Sequence, residues 1–318
     1  MKNNFFEVLR PGINTTYQDE GRFGLQHFGV VPGGCMDEKL FLIINKLLGN
    51  KSNEGVIEFA YQGPLLKFYG SKTKFAISGD VHFNIINSKN EIINGDSNKS
   101  YNLDNGDQID IISTKKSVYG YFGVYGGFKV KSFYKSISTL TKANIGPNNG
   151  DKISLNDKIL INRERKSNNT FYINFKNNDD DTIRVLKGPQ YDYFSEESKK
   201  DFFSKEYSVT NLSDRMGMRL EGEIIKNTVS ANIRSEGITK GAIQVPADGQ
   251  PIVLLTDHPT IGGYPKIANV VSADYNKLIQ KTPRTKLKFK CINLKEAEKL
   301  YKDHFNSISK LLDNLKEI

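Results

Sequence analysis

Short apolar or alternating runs separated by turn-forming residues recur along the chain. Leu65 to Phe68, Phe75 to Ile77, Ile109 to Ile112, Ile159 to Ile161, Ile183 to Leu186, Ile252 to Leu255 and Lys286 to Phe289 are each three or four residues long. Between them lie clusters such as Asp104-Asn105-Gly106-Asp107 and Pro147-Asn148-Asn149-Gly150-Asp151. Short runs punctuated in this way predict the strands of barrels or sandwiches, so the fold class is mainly β. Helical spacing is rare. Asp37 predicts the N-cap of a helix with Leu40, Ile43, Ile44 and Leu47 on one face, ended by Gly49. A C-terminal amphipathic helix is predicted from Leu294. Asn293 and Glu296 have capping-box spacing, and Leu294, Ala297, Tyr301, Phe305, Ile308, Leu312 and Leu315 recur at helical intervals.

The stretch from Arg163 to Asp181 is polar and rich in Asn and Asp, and reads as an exposed linker or long hairpin loop. It divides the chain into a β-rich part over 1–165, a linker over 166–182, a barrel portion over 183–292 and a terminal helix over 293–318.

At 318 residues, 37% hydrophobic and 25% charged, the composition is that of an ordinary globular protein. No run reaches the roughly 18 apolar residues of a membrane span. MKNNFFEVLR lacks the apolar core of a signal peptide, so a cytoplasmic location is expected. Cys35 and Cys291 are too few for a disulfide framework or zinc site. The net charge of +9 does not point to nucleic acid. Only nine of 45 basic residues are Arg, and the Lys are scattered rather than gathered on a helix or among aromatics. A homo-oligomer is compatible with this composition.

The densest chemistry lies in Ser235 to Asp274. Pro246, Asp248, Gly249 and Pro251 precede the strand Ile252 to Leu255, and Pro259, Gly262, Gly263 and Pro265 follow it. Loops of rigid or special-φ residues on both sides of a buried strand shape a site. Asp257 and His258 stand at the strand exit. Asp257 suits a base, Lys266 an oxyanion or phosphate partner, and Gln244, Gln250, Thr260 and Tyr264 offer hydrogen bonds. Asp248 with Gly249 reads as a tight turn. Upstream, Arg215 and Arg219 are four residues apart and share a face of either a helix or a strand, a spacing that can clamp a carboxylate or phosphate, with Asp214 orienting one of them. Near the N-terminus, Gly33 and Gly34 precede the capped helix, where backbone amides attract anions, and His27 lies just before them. Glu58 and Glu236 are further carboxylates. No metal-ligand pattern, nucleophile elbow or P-loop occurs.

Two long motifs, SDRMGMRLEG (Ser213–Gly222) and GAIQVPADGQPIVLLTDHPTIGGYPKIANVVSAD (Gly241–Asp274), resemble the 5-oxoprolinase C-subunit family, also described as KipA-like and as carboxyltransferase- or allophanate hydrolase subunit 2-like. LRPGINTTYQDEGRFGLQHFGVVPGGCMD (Leu9–Asp37) is similar to its opening signature. LGN at Leu48, IEFAYQGP at Ile57, GYFGVYGG at Gly120 and GPQ at Gly188 agree with it. The resemblance implies cyclophilin-like β-barrel modules and one component of an ATP-dependent 5-oxoprolinase, with a KipI-like protein and a LamB/YcsF-like protein as partners, and magnesium accompanying the nucleotide. It implies alternatives as well: a biotin-dependent carboxyltransferase acting on urea or another amide, or a non-enzymatic protein that binds a kinase inhibitor. The chain lacks Met-Lys-Met, so biotin would be carried on another chain. Ser136-Ile137-Ser138-Thr139 has Ile where the family usually has Arg, which removes that side chain from any expected substrate contact.

Overall fold

Phe5–Arg10 shows how the pattern becomes structure. Phe6 and Val8 are fully buried and their neighbours face outward, the period of a half-buried strand. The computed structural model describes residues 4–162, 168–175 and 180–318. It groups them into two compact units. One gathers the described residues of Met1–Arg22, Gly33–Lys176 and Ile308–Ile318, the other those of Phe23–Pro32 and Asn177–Ser307.

The first unit contains β1 (Phe5–Arg10), β2 (Thr16–Gln18), β3 (Val56–Ala60), β4 (Leu65–Tyr69), β5 (Lys72–Ser78), β6 (Val81–Ile86), β7 (Ile92–Gly95), β8 (Lys99–Asp104), β9 (Gln108–Thr114), β10 (Tyr119–Val124), β11 (Lys158–Leu160) and β12 (Phe171–Tyr172). One sheet runs β11-β1-β4-β9-β6-β7. The other runs β2-β3-β10-β5-β8-β12 and ends on the C-terminal pair Lys316–Glu317. Their inward faces share one core, with Phe6, Leu66, Phe83 and Ile109 from the first sheet and Ile57, Phe59, Phe75 and Phe122 from the second. Helix α1 (Glu38–Leu48) has the expected cap. Asp37 Oδ1 accepts from Leu40 N at 3.2 Å, Gly49 takes φ 65°, and Leu40, Ile43, Ile44 and Leu47 are buried.

Asp19 organises the loops of this unit. Oδ1 accepts from Gly21 N at 2.8 Å and from the hydroxyls of Ser136 and Ser138 at 2.6 Å each. Oδ2 accepts from Ile137 N at 2.7 Å, and Asp19 N donates to Ser138 Oγ at 3.0 Å. The serines of the Ser-Ile-Ser-Thr element therefore serve the fold. Ile137 packs on the core beside Gly55, where a Cβ would collide with it.

The second unit is built on a closed barrel, with strand order β13 (Thr182–Lys187), β20 (Lys266–Val270), β17 (Ala242–Gln244), β18 (Ile252–Leu254), β15 (Gly217–Glu221), β14 (Tyr207–Val209) and β21 (Lys286–Cys291). Alternation buries Ile183, Val185, Met218, Leu220, Ile243, Val253, Leu287 and Phe289. Helix α2 (Glu196–Ser204) stacks Phe202 on Phe289 at 4.7 Å, and α3 (Ser272–Ile279) packs against β13. A two-stranded ribbon, β16 (Glu236–Gly237) with β19 (Ile261–Gly262), is separate from the barrel ladder.

The mainly β fold with few helices is as the sequence indicates. Three details differ from it. The polar stretch after Asn162 is not all loop, because Phe171–Tyr172 pairs with Lys99 and with Lys316–Glu317; residues 163–167 and 176–179 of that stretch lie outside the described residues. The last helix, α4 (Leu294–Asp313), is capped by Asn293 Oδ1 on Glu296 N at 3.0 Å, but it stops before Leu315, which leads into the terminal strand β22 (Lys316–Glu317). Of its apolar series Ile308 is buried, whereas Leu294, Tyr301 and Phe305 are exposed.

Asp19→Ala should destabilise the protein by about 3 kcal/mol or more, since it strands several buried donors at once. Denaturant unfolding measures this. A loss below about 1 kcal/mol would show that the loops hold without the carboxylate.

Candidate functional site

The barrel ladder places Arg215 and Asp257 together. Gly217 at the start of β15 pairs with Leu254 at the end of β18, so both chains leave the barrel at one end. The pairing continues beyond the strands: Leu255 N donates to Met216 O at 2.9 Å and Asp257 N to Arg215 O at 2.9 Å. The guanidinium then grips the carboxylate, with Nε on Oδ2 at 2.8 Å and Nη2 on Oδ1 at 3.0 Å. Both side chains are largely buried. Both Asp257 oxygens are thus engaged, and the pair fastens two strand exits. Asp214 does not orient Arg215. It forms a local turn, its Oδ1 accepting from Met216 N at 2.8 Å and Gly217 N at 3.1 Å. Arg219 does not join a clamp either. It lies within β15 on the exposed side, while Arg215 precedes the strand, so the four-residue spacing does not give one face.

Lys266 opens β20 and is 4% exposed. A register shift between β17 and β20 sets Ile243 opposite Ala268 but Gln244 opposite Lys266. Such bulges re-aim side chains. Lys266 Nζ forms an ion pair with Glu236 of the ribbon. Gln190 closes the ring: its Oε1 accepts from Lys266 N at 3.2 Å, and its Nε2 donates to Glu236 Oε1 at 2.9 Å. The approach requires Gly188, where a Cβ would stand 2.2 Å from Lys266 O. Bonds from Lys266 and then Gln190 hold the Glu236 carboxyl below its usual range. Beside this ring, Ala242 and Leu254 of the barrel and Ile238 near the ribbon form a small apolar patch. Gln244 is 6% exposed, and its Nε2 has no hydrogen-bond partner.

The remaining candidates divide. Gln250 is structural: it bonds Gly222 N at 2.9 Å through Oε1 and Gly222 O at 3.2 Å through Nε2. Asp248 makes the expected turn, accepting from Gln250 N at 3.1 Å. Thr260 contributes its carbonyl to Ile238 N at 3.2 Å, and the Tyr264 ring is exposed beside the ribbon. His258 is 7% exposed and bonds the Pro259 carbonyl through Nδ1 at 2.7 Å. A carbonyl can only accept, so Nδ1 carries the proton and Nε2 keeps its lone pair in the neutral ring.

In the first unit, Gly33 and Gly34 take φ 64° and 98°, left-handed conformations suited to glycine. The amides that follow are already engaged. Met36 N donates to Glu58 Oε2 at 2.7 Å and Asp37 N to Tyr121 Oη at 2.7 Å, while the tyrosine hydroxyl donates to Glu58 Oε2 at 2.7 Å. Glu58 is 1% exposed and ties strand β3 to the start of α1. Burial first, and the Glu58 charge second, raise the Tyr121 pKa. His27, which belongs to the second unit, is exposed in a short 3₁₀ turn with its ring tilted against that of Phe28. Gln190 is the member of the site that sequence reasoning leaves unassigned; the GPQ motif is its only signal there. Among the described residues no three His, Cys, Asp or Glu side chains converge as a metal site.

Burial, aided by the charge of Lys240, lowers the His258 pKa below 6.5 against the opposing pull of the Pro259 carbonyl. The unfolded chain takes a proton that folded His258 resists. Stability should therefore fall as pH drops through the unfolded value, and His258→Gln should remove part of that dependence. Unfolding of both proteins at about pH 7.5 and about pH 5, with an NMR titration of His258, checks this. A His258 pKa above 6.5 would reverse the sign.

Residues 28–291 match the family model described as carboxyltransferase domain, subdomain A and B. The 5-oxoprolinase C-subunit of Haemophilus influenzae is 32% identical over 297 residues, covering 92% of this chain and 93% of its own length. That of Escherichia coli is 30% identical over 297 residues, covering 93% and 94%. Among solved structures, the K. lactis urea amidolyase superposes with a TM-score of 0.87 at 28% identity, over 98% of this chain and 20% of that one. The Kluyveromyces lactis urea carboxylase gives 0.86 at 29%, over 98% and 29%. This chain thus spans a fifth to under a third of those two larger proteins. Sequence and fold agree that the chain belongs to the carboxyltransferase domain family, subdomain A and B, together with the bacterial 5-oxoprolinase C-subunit proteins.

Proposed function

We propose that this chain is one subunit of an ATP-dependent 5-oxoprolinase, opening 5-oxoproline to L-glutamate together with KipI-like and LamB/YcsF-like partners. The observation that carries this reading is two-way coverage. The chain accounts for 93% and 94% of two free-standing C-subunit proteins, but for only 20% of the urea amidolyase. A lactam carbonyl is a poor electrophile. Phosphorylating its oxygen at the expense of ATP creates a leaving group and lets water attack. Reactant, nucleotide and product are all anions, so this chain's contribution is to bind and orient negative charge. Lys266 has the character for that task, a cation held rigidly on a barrel strand. Nucleotide and its magnesium are assigned to the assembled complex, since this chain has no P-loop. We place the complex in the cytoplasm. No described helix is long and apolar enough to cross a membrane.

A second reading has its own support. The high TM-score over 98% of the chain with urea amidolyase favours a carboxyltransferase component that acts on urea or another amide, with biotin on a partner. Coexpression with the two candidate partner proteins separates the readings. The complex should release glutamate and phosphate from 5-oxoproline and ATP, and this chain alone should release none. ATP turnover that needs bicarbonate, urea and biotinylated partner instead would establish the second reading. Tight partner binding without turnover of either kind would leave a regulatory protein.

Arg215 and Asp257 should act as a unit in that complex. Removing either alone should cost about 3 kcal/mol, and the double alanine variant should cost little more, because each single change strands a largely buried charge. A double-mutant cycle by denaturant unfolding measures the coupling. Additive losses would show that the two groups act independently.

A further inference from the structure

The β16–β19 ribbon and the barrel face four positions toward one another. Gln244 and Lys266 are cross-strand partners on the barrel, and Glu236 and Gly262 are cross-strand partners on the ribbon. Lys266 Nζ meets the Glu236 carboxylate. Gln244 Nε2 is aimed at Gly262, where a Cβ would stand 2.6 Å away. The backbone of Gly262 thus packs closely on a buried amide donor that nothing accepts from.

The partners differ in how firmly they are held. Lys266, Gln244 and Gln190 are 4%, 6% and 8% exposed, and two of them lie on barrel strands. Glu236 belongs to a two-residue strand and its side chain is 43% exposed. Its carboxylate pairs with Lys266 and accepts from Gln190, but Gln244 Nε2 is unmet and Lys266 Nζ makes no hydrogen bond of good geometry. A carboxylate has about four acceptor positions. One free to settle between the three donors can engage all of them.

We propose that Lys266, Gln244 and Gln190 form a binding site for the carboxylate of a small substrate, and that Glu236 is an internal carboxylate that fills this site until the ligand displaces it. Identifying that ligand as 5-oxoproline rests on the function proposed above; the site itself does not. Since Lys266 and Gln190 hold the Glu236 carboxyl below its usual range, it competes as an anion at neutral pH. Gly262 is required because a side chain there would collide with the Gln244 amide and push that donor out of place.

Calorimetric titration of the full chain tests the site, with L-5-oxoproline, acetate, and 2-pyrrolidinone, the same lactam ring without its carboxylate. Glu236→Gln, which removes the competing charge from an exposed position, should tighten carboxylate binding at least about threefold. Lys266→Met and Gly262→Ala should weaken it by about tenfold or more. Thermal melting checks folding, and if Lys266→Met melts early, the other two variants decide. Pyrrolidinone should not respond to these changes. Acetate binding with this variant pattern, without 5-oxoproline binding, keeps the site and removes 5-oxoproline as its ligand. The proposal is overturned if neither carboxylate binds, if Glu236→Gln weakens binding or leaves it unchanged, or if Gly262→Ala has no effect.

Discussion

A buried ammonium must find a counter-charge, and on the barrel of the second unit that requirement falls on Lys266 and Glu236. Several features follow from it. Gly188 lets its loop approach the Lys266 carbonyl, Gln190 bonds both the Lys266 amide and the Glu236 carboxylate, and the register shift places Gln244 beside the lysine. Burying a charge costs solvation, so one partner supplied by an exposed ribbon is a marginal arrangement compared with a fully hydrogen-bonded pair. That marginality separates this group from the structural networks elsewhere in the chain.

Those networks engage both oxygens of each carboxylate and both ends of the amide. Asp19 receives four hydrogen bonds through its side chain, Gln250 uses both ends of its amide on one backbone residue, and Arg215 and Asp257 meet in a two-bond fork. A polar group engaged at both ends holds loops in place. A buried donor with no hydrogen-bond partner, such as Gln244 Nε2, does not contribute to holding the fold. The distinction separates Asp19, Gln250, Arg215 and Asp257, which hold loops, from Gln244.

Local features were legible in the sequence because they depend on neighbours. The α1 cap, its buried face and the strands from Leu65 to Phe289 follow from periodicity and turn residues. Asp257 at the exit of the Ile252 strand was legible for the same reason. Partner choice was not. Asp214 is adjacent to Arg215, yet the arginine's carboxylate lies 42 residues away, because Asp214 is used in its own turn and the barrel ladder brings Asp257 alongside. Gln190 and Lys266 are 76 residues apart. Their meeting depends on barrel closure, which no local pattern encodes. The exposed apolar face of α4 was hidden too, since helical spacing reveals a stripe without showing whether anything covers it.

Glu236 and a substrate carboxylate should compete for the same cation. A crystal structure of the full chain grown with L-5-oxoproline tests this directly. The ligand carboxylate should lie within ion-pair distance of Lys266 Nζ and hydrogen-bond distance of Gln244 Nε2, with the Glu236 side chain turned away. A ligand bound elsewhere, or one bound while Glu236 still rests on Lys266, would contradict it.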